Sequence, residues 1–256
     1  MTTEVPLVAI DALRKSVRQA GRTMPILDGI SLTIRRGETL GIVGESGSGK
    51  STLARALLQL TPYDSGHVRL EGVDLSGLSQ RQLLPFRARM QMVFQDPLAS
   101  LNPRATIGRS LEEPLIVHRR GDAAHRRAAV RRMLERMSLP PQVAGRLPHE
   151  LSGGQRQRIG IARALMLEPS LLVCDEAVSA LDLSIRAQIL NLLMDLQQQS
   201  GIAMLFISHD LAVVRHIADR VAVMWRGQIV EMADTEQVWT APRHPYTRTL
   251  VAGSRF

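Results

Sequence analysis

The chain has 256 residues and a formal net charge of +8, and aromatic residues make up only 3% of it. This length can bury a full hydrophobic core in one large domain, alone or with a subdomain. No window approaches the ~18 consecutive apolar residues of a membrane span, and residues 1–17 lack the pattern of a signal peptide, so a cytoplasmic protein is expected. The single cysteine, Cys174, excludes an internal disulfide or a cysteine-ligated zinc site within this chain and is predicted to be a core residue.

The predicted elements alternate between strands and helices, except for one helical stretch at about 97–150. Short strands are expected across 7–43, with turns at 22–29 and 35–38. Further predicted strands lie at 67–70, 90–94, 171–174, 203–207 and on both sides of Gly227, and predicted helices at 155–167, 184–199 and 211–218. This alternation indicates an α/β fold with a mainly parallel sheet, which binds ligands at the carboxyl ends of its strands.

The positive charge is concentrated within the helical stretch. Residues 118–136 hold seven arginines, whereas Val130, Met133, Leu134 and Met137 keep helical spacing on the opposite stripe. We interpret the arginines as a solvated helix face, and anionic lipid head groups are a more plausible contact for them than nucleic acid. The low aromatic content also argues against a surface that stacks the bases of single-stranded nucleic acid.

A glycine-rich segment at 44–51 contains one of the only two lysines of the chain. Its residues Gly44, Gly49, Lys50 and Ser51 match the phosphate-binding loop pattern, with a predicted strand before it and a helix after it. A compact ammonium fits inside such a loop, where a planar guanidinium does not. We therefore expect Lys50 to hold the β- and γ-phosphates of a nucleotide, and the N–H groups of residues 45–50 to converge on the phosphates.

Two consecutive carboxylates, Asp175 and Glu176, follow the apolar segment 171–174. Acids at the end of a buried strand are costly unless a cation or a proton transfer uses them. With Ser51 as the other protein ligand, Asp175 would hold Mg²⁺ directly or through water. Glu176 is then placed to polarise a water molecule in line with the γ-phosphate.

A second glycine pair, Gly153 and Gly154, follows Ser152 directly before a predicted helix, so it forms another anion-accepting helix start. One ATP does not need two such loops from one chain. Here the sequence resembles the ATP-binding subunits of ABC transporters, because LSGGQ at 151–155 stands in order with GESGSGKST, VFQDP, LLVCDE, SALD and FISHD. The resemblance covers residues 7–232.

The resemblance implies two ATP-binding subunits packed head to tail, each ATP lying between one subunit's phosphate loop and its partner's signature loop. It implies a P-loop NTPase (RecA-like) core at 1–95 and 157–235, an N-terminal antiparallel β subdomain, an inserted helical signature subdomain at 96–156 and a tail at 236–256. It assigns Glu176, His209 and Gln95 to catalysis, and Gln95 also to Mg²⁺. The other implied site residues are Gly44, Glu45, Ser46, Gly47, Ser48, Gly49, Lys50, Ser51 and Thr52 for ATP, Leu151, Ser152, Gly153, Gly154 and Gln155 for the partner's ATP, and Asp182 for the D-loop.

Segments 94–104 and 241–250 are similar to importers of the dipeptide, oligopeptide and nickel group. This resemblance implies a peripheral position on the cytoplasmic face of the inner membrane, two permease subunits, a substrate-binding protein and a second, different ATPase subunit. Ala177 stands where most ABC subunits carry proline, which is weakly associated with nickel-type members and leaves the cargo open. Most ABC ATPases also stack adenine on an aromatic residue, and the matching position here is Val17.

Two other classes stay open at this stage. A soluble P-loop kinase could use residues 118–136 as a phosphate-closing lid, although it would have no use for a second glycine loop. A non-transport ABC protein of translation or DNA repair would carry two ATPase units or long coiled coils, and neither is evident here. The leading hypothesis is an ATPase that powers import through an ABC transporter.

Overall fold

The structure is a computed structural model that describes residues 5–19, 22–96, 101–179 and 181–253. The strands are β1 (Val8–Gln19), β2 (Arg22–Ile34), β3 (Thr39–Val43), β4 (Ser65–Leu70), β5 (Val73–Asp74), β6 (Met90–Val93), β7 (Leu171–Asp175), β8 (Ala203–Ile207), β9 (Arg220–Trp225) and β10 (Gln228–Asp234). The helices are α1 (Lys50–Leu57), α2 (Gln80–Arg89), α3 (Ile107–Val117), α4 (Ala123–Arg136), α5 (Gly153–Leu165), α6 (Leu183–Ser200), α7 (Leu211–Ile217), α8 (Thr235–Thr240) and α9 (Pro245–Gly253). Short 3-10 helices lie at Pro141–Gly145 and Pro148–Glu150.

A six-stranded sheet in the order β10-β9-β3-β8-β7-β6 forms the centre of the chain. All its pairings are parallel except β10 with β9, which confirms the predicted α/β class. Strands β3, β7 and β8 are buried along their whole length because helices and the second sheet cover both faces. The register pairs Ile42 and Asp175 with Ile207, so these strands end at one edge of the sheet. Cys174 lies there fully buried, and burial raises the pKa of its thiol to about 12, as expected for a core residue.

A four-stranded antiparallel sheet has the order β2-β1-β4-β5. The predicted turn at 22–29 is wrong, because β2 continues without interruption from Arg22 to Ile34 and pairs with β1 over this length. Pro25 is tolerated because β2 is the outer strand of its sheet, where a missing N–H does not interrupt a ladder on both sides.

The predicted helical stretch contains α3, α4 and the two 3-10 helices. Val130, Leu134 and Met137 are buried, whereas six of the seven arginines in 118–136 are exposed and the seventh is half-buried. This arrangement confirms the predicted apolar stripe and solvated basic face of α4. In the described parts of the chain, no helix has both the length and the apolar character that a bilayer crossing requires.

Candidate active site

The segment between β3 and α1 is a tight loop that packs against two other strands. Gly44 has φ 150° and Gly49 has φ 105°, conformations that side-chain-bearing residues rarely adopt. A Cβ at Gly44 would lie 2.1 Å from the Met224 carbonyl oxygen, and one at Gly49 would lie 2.6 Å from the Ile26 carbonyl oxygen. Glycine is therefore required at both ends of the loop by its close approach to β9 and β2.

Lys50 is buried and folds back over this loop. Its Nζ donates hydrogen bonds to the carbonyl oxygens of Gly44 and Glu45, each at 2.8 Å. Burial lowers the pKa of Lys50, and the nearby charges of Glu176 and Asp175 oppose that effect. The ammonium is enclosed by the loop's own backbone, a position that a larger planar guanidinium would not share.

Ser51 and Asp175 meet at the start of α1. The Ser51 hydroxyl donates to Oδ1 of Asp175 at 2.9 Å, and the carboxylate is only 6% exposed. Burial raises the pKa of Asp175, while the Ser51 hydrogen bond and the charge of Arg55 oppose the rise. One carboxylate beside one hydroxyl fits the small protein share of ligands that Mg²⁺ takes when substrate phosphates supply the rest. Within the described ranges, no cluster of three His, Cys, Asp or Glu side chains could hold a metal alone.

Glu176 follows β7 with its backbone in the left-handed region, at φ 50°. Its N–H donates to the Ile207 carbonyl oxygen at 3.0 Å, and the Ser179 hydroxyl donates to the Glu176 carbonyl oxygen at 2.9 Å. Oε1 of the carboxylate lies 3.5 Å from Nδ1 of His209. The strand ends of β7 and β8 thus bring together two side chains that are 33 positions apart in the sequence.

Gln95 is exposed two residues after β6, which pairs with β7 up to Val93 and Cys174. The register puts it at the same sheet edge as Asp175. Its roles toward Mg²⁺ and water stay predictions.

The second glycine loop starts α5. Ser152 and Gln155 form a reciprocal cap, in which the Gln155 N–H donates to the Ser152 hydroxyl at 3.3 Å and the Ser152 N–H donates to Gln155 Oε1 at 3.1 Å. This cap starts the helix at Gly153, two residues before the predicted start. Ser152 and Gly153 are exposed, whereas Leu151 and Gly154 are buried. Their contact with a second subunit's nucleotide stays a prediction.

Asp182 caps α6, where its Oδ1 accepts the Ile185 N–H at 3.4 Å. Ile185 packs so closely on Gly154 that a Cβ there would lie 2.9 Å from it. The first turn of α6, which Asp182 caps, therefore packs against the start of α5. Val17 lies half-buried opposite Met24 in the β1–β2 pair, and β2 continues to Ile26 beside the phosphate loop.

One contact of the phosphate loop was missed by the sequence reasoning. The Glu45 N–H donates to the hydroxyl of Tyr246, in α9 near the C-terminus, at 3.0 Å. In this structure the Glu45 N–H therefore contacts the tail, and its convergence on the phosphates stays a prediction. The Ser48 N–H likewise turns inward, to the Glu45 carbonyl oxygen at 3.2 Å.

The model of the family described as "ABC transporter" matches residues 27–179, a span that contains the phosphate loop, the second glycine loop and Glu176. The chain belongs to the ABC transporter family. Membership in this family excludes the hypothesis of a soluble P-loop kinase.

Two similar relatives carry transport names. The oligopeptide transport ATP-binding protein OppF of Escherichia coli (strain K12) is 51% identical over 235 residues, which cover 91% of this chain and 70% of OppF. The glutathione import ATP-binding protein GsiA of Salmonella paratyphi A is 55% identical over 233 residues, 90% of this chain and 37% of GsiA. Among solved structures, the ABC protein is similar to the dimeric ATP-binding cassette MJ0796 in a post-hydrolysis state with ADP and Pi. The TM-score is 0.82 at 29% identity, over 89% of this chain and 98% of that one.

Proposed function

We propose that this chain is the ATP-hydrolysing subunit of an ABC importer, and that peptides are its cargo. The observation that carries the ATPase assignment is the meeting of Lys50, Ser51, Asp175 and Glu176 at one sheet edge. The peptide assignment is supported by the names of OppF and GsiA, which favour peptides over nickel chelates.

Each residue at this sheet edge has a separate role in phosphoryl transfer. Lys50 leaves the loop carbonyls and pairs with the β- and γ-phosphates, which compensate its burial. Ser51 and Asp175 hold Mg²⁺, which neutralises phosphate charge when bound. The carboxylate of Glu176 accepts a proton from the attacking water, while Gln95 orients that water and His209, beside Glu176, contacts the γ-phosphate.

The start of α5 supports a head-to-tail pair of subunits. Ser152 and Gly153 are exposed, and the capping box leaves the backbone approachable on the outside of the helix start. We assign Leu151, Ser152, Gly153, Gly154 and Gln155 to the ATP bound by the partner subunit, which is a second, different ABC ATPase. The dimeric state of MJ0796 agrees with such a pair.

A groove between the core at 1–95 and the helical subdomain at 96–156 fits a permease contact. Leu84 of α2, Phe94 after β6 and Val117 of α3 line a cavity of about 340 Å³ there and are 40%, 37% and 56% exposed. Large apolar side chains that share one concave surface mark an interaction site. We therefore place one of the two permease subunits on this groove in the assembled complex, with the chain on the cytoplasmic face of the membrane and a substrate-binding protein acting on the far side.

Co-purification from native membranes in mild detergent tests this assignment. The wild-type chain is expected to retain two membrane-embedded permeases and a second ATPase subunit, whereas Val117→Asp is expected to lose the permeases. Val5→Asp introduces the same change at a 60% exposed valine before β1 and serves as the control. Recovery of the chain without membrane proteins would favour a non-transport ABC protein instead.

A further inference from the structure

The contact between the C-terminal tail and the phosphate loop has no role in the mechanism above. Tyr246 accepts the N–H of Glu45, the residue that follows the first glycine of the loop. The hydroxyl comes from a position 201 residues further along the chain. Without Tyr246, this backbone N–H would have to find its hydrogen-bond partner in solvent.

Tyr246 is itself held in place from two sides. Its ring stacks on Trp225 at the end of β9, with centroids 5.5 Å apart and planes inclined by 26°. Its N–H donates to Nδ1 of His244 at 3.2 Å. The preceding residue of β9, Met224, forms the close contact with Gly44, so the tail and the loop rest on the same strand end.

The segment before Tyr246 is anchored by a buried carboxylate. Glu231 of β10 accepts the N–H groups of Arg243 and His244, each at 2.9 Å. Burial alone would raise the pKa of Glu231, but the two N–H donors outweigh burial and lower the pKa. The carboxylate therefore stays ionised and keeps the tail at a fixed distance from the sheet.

We propose that Tyr246 is a positioning residue of the ATPase site, holding the phosphate loop in the shape that receives the triphosphate. This inference rests on the proposed function. The hydroxyl fixes the orientation of the Glu45 peptide plane. This orientation in turn determines where the following N–H groups of the loop point. A loop that is ordered before the nucleotide arrives loses less conformational freedom on binding and so binds it more tightly.

Burial raises the pKa of Tyr246, the hydrogen bond from the Glu45 N–H opposes that rise and the charge of Glu45 adds to it, so the hydroxyl keeps its proton at neutral pH. Tyr246 also lines an open groove together with Glu45 and His209. Tyr246 thus lies beside both the phosphate loop and His209. In the proposed mechanism, this is the end of the site where the γ-phosphate lies.

The test compares the only two tyrosines of the chain. Tyr246→Phe keeps the ring on Trp225 and removes the acceptor for Glu45. Tyr63→Phe removes a hydroxyl that donates to Ser76 at 2.9 Å and accepts from Gln59 at 3.3 Å, with both partners outside the phosphate loop. The two variants thus lose the same atom and similar hydrogen bonds at different places.

The Kd of the full chain for MgATP is measured by calorimetry, together with the Tm in the absence of nucleotide. Loss of one hydrogen bond that orders the loop is expected to raise the Kd about three- to tenfold in Tyr246→Phe, and less than about twofold in Tyr63→Phe. In the assembled complex, the KM for ATP should rise by a similar factor while kcat at saturating ATP stays within about twofold, since Glu176 and His209 are unchanged.

An unchanged Kd in Tyr246→Phe would overturn the inference. So would an equal loss in Tyr63→Phe, or a fall in Tm without any change in Kd, since either would reduce Tyr246 to a structural contact. A wild-type chain that binds no MgATP would instead contradict the proposed ATPase function, and the two failures are therefore distinguishable.

Discussion

Replacing Glu176 by Gln tests the chemistry of the site while leaving its shape intact. The left-handed backbone of Glu176 is maintained by the Ile207 carbonyl oxygen and the Ser179 hydroxyl, and neither contact uses the carboxylate. Glutamine replaces the carboxylate, whose Oε1 lies 3.5 Å from Nδ1 of His209, with an amide. A partly exposed pair of this kind contributes at most about 1 kcal/mol to stability. Loss of a general base lowers turnover by about 10²- to 10⁴-fold, equivalent to about 2.7–5.4 kcal/mol of activation free energy.

The assay is steady-state ATP hydrolysis by the assembled complex, with the Kd for MgATP measured in parallel. We expect the Kd of Glu176→Gln to match the wild type, turnover to fall by at least about 10²-fold, and the closed ATP-bound pair to accumulate. Glu135→Gln, the same change on the exposed face of α4, should leave both quantities unaltered. Turnover within about threefold of wild type in Glu176→Gln would remove Glu176 from the catalytic role.

The other predictions concern the signature loop, the adenine contact and the tail anchor. Ser152→Arg should leave ATP binding to the isolated chain intact and abolish hydrolysis by the assembled pair; an equal loss of monomer affinity would contradict the shared site. Val17→Tyr should tighten ATP binding by up to roughly tenfold by adding a stacking surface, and titrations that show strong ATP-over-GTP preference in wild type with no gain from tyrosine would contradict this. Glu231→Gln should cost about 2 kcal/mol of unfolding free energy near neutral pH. Because the folded pKa of Glu231 lies below its ordinary value of 4.5, this cost is complete above pH 4.5 and shrinks as pH falls through the folded pKa; a cost that is constant in thermal melts from pH 3 to 7 would refute it.

The parts of the fold that local patterns encode were predictable. Continuous apolar runs at β3, β7 and β8 identified buried parallel strands, since such runs fit only a sheet covered on both faces. Glycine spacing located both loops because it reports backbone geometry directly. The contact of Ser51 with Asp175 followed from these two results, since parallel strands end at a common edge.

The parts that depend on distant neighbours were not predictable. A turn was predicted at 22–29, and only the position of β2 at the edge of its sheet explains why Pro25 lies within a strand. The contact between Tyr246 and Glu45 joins the two halves of the chain, and no local period or spacing signals it. The tail segment was informative only as a resemblance, because its role depends on how Glu231 and Trp225 anchor it.

A peptide uptake assay most directly tests the central claim that this chain powers peptide import by hydrolysing ATP. Cells whose own copy of the gene is replaced by wild type or by Glu176→Gln are supplied with a labelled oligopeptide, and the initial rate of uptake is recorded with nickel uptake as the comparison. The account predicts ATP-dependent peptide uptake with the wild-type chain, its loss with Glu176→Gln, and nickel uptake that does not differ between the two. Peptide uptake that is equal in both strains, or a loss confined to nickel, would contradict it.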